Sequence, residues 1–208
     1  MIRRLSFIFI FIIASSCSQL PILSYSDMPK ILYRSAFGFP DEEMTLDTYN
    51  SYKYSFAKVR FGKGEPVILI LASIDDDLYS WVGSDGVKLI TKNGRIIKTN
   101  GLPNDINIKA SNLRASIAEG QFYETVNFNQ PLLIGANLSS NIKFLEYRDY
   151  LNVDQLIRAR VFSEEISIKK IGWQEDNLYI FDENDRALKT IQFIHPFLNE
   201  IVIEFYFK

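Results

Sequence analysis

The chain has 208 residues, 47% of them hydrophobic and 14% aromatic, with 23 Lys and Arg against 25 Asp and Glu and a formal net charge of −2. That balance shows no basic stripe, which excludes nucleic acid as the natural partner, and so apolar a composition excludes a disordered chain. Cys17 is the only cysteine, so no disulfide forms within the chain and stability must come from a packed core.

The first segment, RRLSFIFIFIIASSC over residues 3–17, sets two arginines before a short apolar run and closes on small residues. The run Leu5 to Ala14 reaches about half of the ~20 residues that a helix needs to cross hydrocarbon. Basic start, short apolar run and small-residue exit describe a secretory leader over residues 1–16. The cysteine that follows resembles a bacterial lipobox, with Ala14 at the place usually held by Leu. The resemblance implies cleavage before Cys17 and a diacylglyceryl group on its thiol. Ser18, rather than an Asp that would hold the protein at the inner membrane, points to the outer membrane. Loss of Arg3 and Arg4 with the leader takes the 23 basic residues to 21 against 25 acidic ones.

Residues 17–26 read as a lipidated tether, and 27–208 as a single β-rich domain. Ser26 or Asp27 caps an expected helix over 27–37, with Pro29 in its first turn and an apolar stripe at Ile31, Leu32, Ala36 and Phe37. A weaker helical candidate lies at 110–120. From about Asn50 the period shortens: Tyr52, Tyr54 and Phe56 alternate with polar residues, as in a half-buried strand. PVILILAS (66–73) reads as a buried strand. VKLITKNGRIIKT (87–99) reads as a hairpin whose Asn93-Gly94 pair suits a two-residue type I′ turn, placing Thr91 opposite Ile96 and Ile90 opposite Ile97. Further strands are expected at 122–128, 142–151, 156–168, 178–182, 187–194 and 200–207, with NQP, EDN, DENDR and HPFLN as turns. Strands without alternating helices predict a mainly β fold, one antiparallel domain built as a curved sheet, open barrel or sandwich, with one short N-terminal helix.

The segment 81–106 carries more than a hairpin. Trp81, the Asp85-Gly86 turn, Thr91, Asn93, Gly94, Arg95 and Thr99 together are similar to the signature of the YjbF/GfcB family of outer-membrane lipoproteins, associated with group 4 capsule and related exopolysaccharide systems. Cys17 and the helix at 27–37 match the family's lipidated N-terminus, and LYIFDENDRALKTIQFIHP (178–196) resembles its closing pattern. The resemblance implies a role in making or exporting surface polysaccharide. It supplies no catalytic residues.

Other constellations weigh little. Asp75, Asp76, Asp77 and Asp85 lack the spacing of a calcium loop and read as a solvated turn. Glu42-Glu43 and Glu164-Glu165 are adjacent pairs, and neighbours on a strand point to opposite faces, which a glycosidase pair does not do. His195, the sole histidine, has no G-x-S-x-G elbow to serve. No catalytic residue, metal ligand or cofactor is therefore expected. Trp81 and Trp173 offer flat surfaces for stacking on sugars, although Trp81 beside the 66–73 strand suits core packing. Arg95 offers a bidentate grip on a carboxylate, or else a solvated hairpin end. The expected protein is a palmitate-bearing, lipid-anchored, periplasm-facing accessory in capsule or exopolysaccharide assembly and export. Its partners are the membrane and other proteins of the export system. A polysaccharide-modifying enzyme and an acyl-chain carrier in an open barrel are the alternatives.

Overall fold

The computed structural model describes residue 39, residues 43–109 and residues 118–208. The leader, Cys17, the tether, the expected helix over 27–37 and most of the candidate at 110–120 lie outside the described residues. Twelve strands follow a short helix, α1 (Leu46–Ser51): β1 (Phe56–Phe61), β2 (Val67–Asp75), β3 (Leu78–Val82), β4 (Lys88–Lys92), β5 (Arg95–Asn100), β6 (Ile106–Ile108), β7 (Gly120–Phe128), β8 (Leu133–Asn152), β9 (Gln155–Ile168), β10 (Trp173–Phe181), β11 (Ala187–Gln192) and β12 (Ile201–Tyr206).

Each strand pairs antiparallel with its neighbours in sequence, and β12 returns to β1 in register from Phe56 opposite Tyr206 to Phe61 opposite Ile201. The result is a closed barrel, where the sequence left a curved sheet, an open barrel or a sandwich. Closure pairs the edge strands that any of those would expose. Alternation sorts the side chains. In β12, Ile201, Ile203 and Phe205 join the core, while Glu204 faces outward between its cross-strand neighbours Lys58 and Lys189 at 3.5 and 2.9 Å. Such directly opposed charges are the stabilising unit of a sheet surface.

Several local expectations change. The Tyr52–Phe56 alternation is not a strand up to Phe56. Thr45 caps α1 by accepting the Thr48 N–H, the Tyr49 hydroxyl donates to the Phe207 carbonyl at 2.7 Å, and the Tyr52 ring lies 4.2 Å from that of Phe56. The tyrosines thus seat the helix against a barrel end. In β2 only Leu69 is fully buried: Ile68 and Ile70, on the other face, are half-buried, and Val67 and Ile74, near the two ends of the strand, are exposed. EDN (175–177) is no turn but the middle of β10, and the break before it falls at the short 3-10 helix Lys169–Ile171 and Gly172.

The hairpin β4–β5 has the expected turn, with Asn93 and Gly94 at φ of 48° and 72°. Thr91 faces Ile96 as expected, but a bulge puts Ile90 opposite Lys98 instead of Ile97. Its tip does not project into solvent. Gln192 of β11, six places away in the twelve-strand ring, donates to the Gly94 carbonyl and accepts the Ile96 N–H, both at 2.8 Å. The hairpin therefore crosses the lumen and is pinned to the far wall.

Candidate functional site

Arg95 is the first residue of β5 after that turn, so the inward lean of the hairpin carries its guanidinium into the barrel. There its Nη2 lies 2.8 Å from Glu124 of β7, and its Nε lies 3.3 Å from the nearer oxygen of Glu164 on β9. Glu164 also accepts from Ser140 Oγ at 2.5 Å, Tyr179 OH at 2.6 Å and Asn177 Nδ2 at 3.1 Å. Burial pulls the Arg95 pKa down, but Glu164 and then Glu124 outweigh it, so the guanidinium ends above its ordinary value and stays charged. Both carboxylates are buried, and the pairing with Arg95 is what a charge in such a place requires. Arg95 is thus neither a solvated hairpin end nor a surface grip for a sugar acid. A space of about 20 Å³ remains beside Arg95, Ile96, Asn177 and Gln192, room for about one water.

The other signature residues act in the same way. Trp81 is buried and its Nε1 donates to Thr91 Oγ1 at 2.9 Å. Asp85 accepts the Val87 N–H within its turn. The Thr99 hydroxyl donates to Asp105 at 2.8 Å and accepts the Ile106 N–H, which ties the β5–β6 loop. In the closing pattern Asp182 accepts from the Asn184 and Arg186 N–H groups and pairs with the Arg186 guanidinium. Glu164 points in and Glu165 out, as alternation requires. Among the described residues no group of three or more His, Cys, Asp or Glu is placed to hold a metal ion.

Trp173 sits elsewhere. It opens β10 and, with Phe128, forms the floor of an apolar cup of about 370 Å³ at one barrel end, between the β7–β8, β9–β10 and β11–β12 connections. Leu132, Ile171 and Phe197 stand on the rim, one from each connection. Sequence reasoning singled out Trp173 but missed these three, which lie in the connections between strands and carry no periodic signal. His195 braces the rim: its Nδ1 accepts the Phe197 N–H at 3.1 Å and its ring meets Phe128 edge-on with centroids 4.4 Å apart. Burial lowers its pKa below 6.5, with the Gln130 backbone opposing, so the ring is neutral at pH 7.

A proton on Nδ1 would face the Phe197 N–H and lose that bond. Because the folded pKa is the lower one, this stabilisation is fully present above the unfolded value of about 6.5 and is lost as the pH falls through the folded pKa. Melting temperature is therefore expected to fall between pH 7.5 and 5.5. His195→Asn, which keeps an acceptor for Phe197 without titrating, is expected to flatten that fall. An unchanged slope in the variant would refute the assignment.

Two similarities bear on this fold. The chain is 23% identical over 203 residues to an uncharacterised lipoprotein of Escherichia coli K12 named YjbF, covering 92% of each. Its fold matches the crystal structure of the hypothetical lipoprotein YmcC from the same organism with a TM-score of 0.66, at 20% identity, over 92% of this chain and 98% of that one. Residues 32–205 match the family described as group 4 capsule polysaccharide lipoprotein gfcB, YjbF. With a match over that much of its length, this chain belongs to the YjbF/GfcB family of capsule-related lipoproteins.

Proposed function

We propose that the protein is a non-enzymatic accessory of capsule or exopolysaccharide assembly and export, held at the periplasmic face of the outer membrane by lipid on Cys17. One observation carries the non-enzymatic part. The buried carboxylates Glu124 and Glu164, the pair best able to resemble an acid/base couple, are bound to Arg95 inside a filled barrel. A polymer cannot reach them, and an acid/base catalyst must come within hydrogen-bond reach of the reacting group. The same filling argues against an acyl-chain carrier in the lumen, which would need a large apolar cavity. The family assignment and the order of residues 3–18 support the rest.

The test is made in cells lacking the gene. Wild type should take up labelled palmitate, fractionate with the outer membrane and restore surface polysaccharide. Cys17→Ser should do none of these, because anchoring rests on roughly 0.8 kcal/mol per buried CH₂ summed over the chains. Wild-type protein that takes up no palmitate, or a deletion with full surface polymer, would contradict the proposal.

A further inference from the structure

Leu132, Ile134, Phe197 and Ile171 are 73%, 69%, 68% and 43% exposed, and all four lie in or beside three of the connections at one end of the barrel. Large exposed apolar groups gathered in one place mark a surface that meets something. The cup between them is lined by Phe128, Trp173, Gly172 and Pro196 among others, and among the described residues no ionised or amide side chain lines it. A protein interface needs about one hydrogen bond per 100–200 Å²; hydrocarbon needs none.

The charges beside the cup point the same way. The three connections around the cup, 129–132, 169–172 and 193–200, hold Lys169, Lys170 and Glu200; the other connections at the same barrel end, 62–66, 83–87 and 101–105, hold Lys63, Glu65, Asp85 and Asp105, none of which lines the cup. Both lysines are exposed, directly precede Ile171, and lie beyond ion-pair distance of any carboxylate among the described residues. Apolar side chains at strand connections with adjacent, exposed ammonium groups fit a layer whose surface is anionic and whose interior is hydrocarbon.

We propose that the cup side of this barrel end inserts into a bilayer containing anionic phospholipid, with Leu132, Ile134, Ile171 and Phe197 among the acyl chains and Lys169 and Lys170 on the headgroup phosphates. The contact adds to any lipid on Cys17 and orients the barrel on the membrane; a tether alone would let it tumble. Trp173, at the floor of the cup, then lies close to hydrocarbon. Trp81 lies beside the β4–β5 and β10–β11 turns, which are at the opposite end.

These are the only two tryptophans in the chain, so intrinsic fluorescence reports on each end separately. The full processed protein is reconstituted in vesicles of phosphatidylethanolamine and phosphatidylglycerol, with or without bromine on the acyl chains. Trp81→Phe leaves Trp173, and most of its emission should be lost to bromine. Trp173→Phe leaves Trp81, whose emission should persist. If Trp81→Phe fails to fold, the quenching of wild type minus that of Trp173→Phe gives the same quantity. Adding Lys169→Glu, Lys170→Glu and Phe197→Ser, or replacing the anionic lipid by phosphatidylcholine, should restore emission. Trp173 emission indifferent to bromine would overturn the proposal and leave the cup to a protein partner. Equal quenching of both tryptophans would overturn it as well. Neither result depends on whether the protein serves capsule export.

Discussion

Arg95→Met is expected to destabilise the barrel by about 3–5 kcal/mol, the cost of removing one partner from a buried ion pair. Methionine fills much of the volume but leaves Glu124 and Glu164 buried without their cation, and the hydrogen bonds from Ser140, Tyr179 and Asn177 then serve one of the two carboxylates only. The comparison that isolates charge is the triple variant Arg95→Met, Glu124→Gln, Glu164→Gln. It keeps the shapes and removes the ions, and replacing a whole buried pair is often close to neutral. The triple variant should therefore recover most of the loss in urea denaturation, with an unchanged slope against denaturant showing that the unfolded state is not altered. A single variant as stable as wild type would mean that the guanidinium contributes nothing to the closed barrel.

Gly94→Val is expected to cost about 3 kcal/mol or more, from two sources that act together. At a φ of 72° a β-branched residue is strained wherever it sits. At this place a Cβ would also stand 2.5 Å from the Ala187 Cβ and 3.2 Å from Thr190 Cγ2. The glycine is there for a close approach as well as for a turn. Gly94→Ala should therefore lose nearly as much, since its single methyl already meets Ala187. The double variant Gly94→Ala, Ala187→Gly should recover part of the loss by reopening that contact. Melting temperatures of the purified variants decide it. A Gly94→Ala protein that melts with wild type would mean that the hairpin tip does not press on β11.

What was legible in the sequence follows from which residues signal locally. Asn93-Gly94 fixes its turn by backbone sterics alone, and the turn formed as expected. Runs such as 122–128, 156–168 and 200–207 alternate strongly enough to mark strands. Closure was not legible, because pairing β1 with β12 joins residues at opposite ends of the described chain and leaves no local trace. The interior network was hidden for a related reason. Glu124, Glu164 and Asn177 look like a solvent face or a turn, and EDN read as a turn because an asparagine that bonds a buried carboxylate resembles one that faces water. Arg95 was singled out, but its partners are 29 and 69 residues away on other strands. The cup left one trace, Trp173. Its rim is assembled from three separate connections between strands, which carry no period to read.

The most direct test of the account is the triple variant Arg95→Met, Glu124→Gln, Glu164→Gln, returned to cells that lack the gene. Protein level and palmitate labelling are matched to wild type, and surface polysaccharide is read out. If the interior charges hold the fold and perform no chemistry, polymer output should stay near the wild-type level. Removing a catalytic acid or base would instead lower the rate about 10²–10⁴-fold. A folded, lipidated triple variant with no surface polymer would contradict the accessory function and assign the buried carboxylates to catalysis.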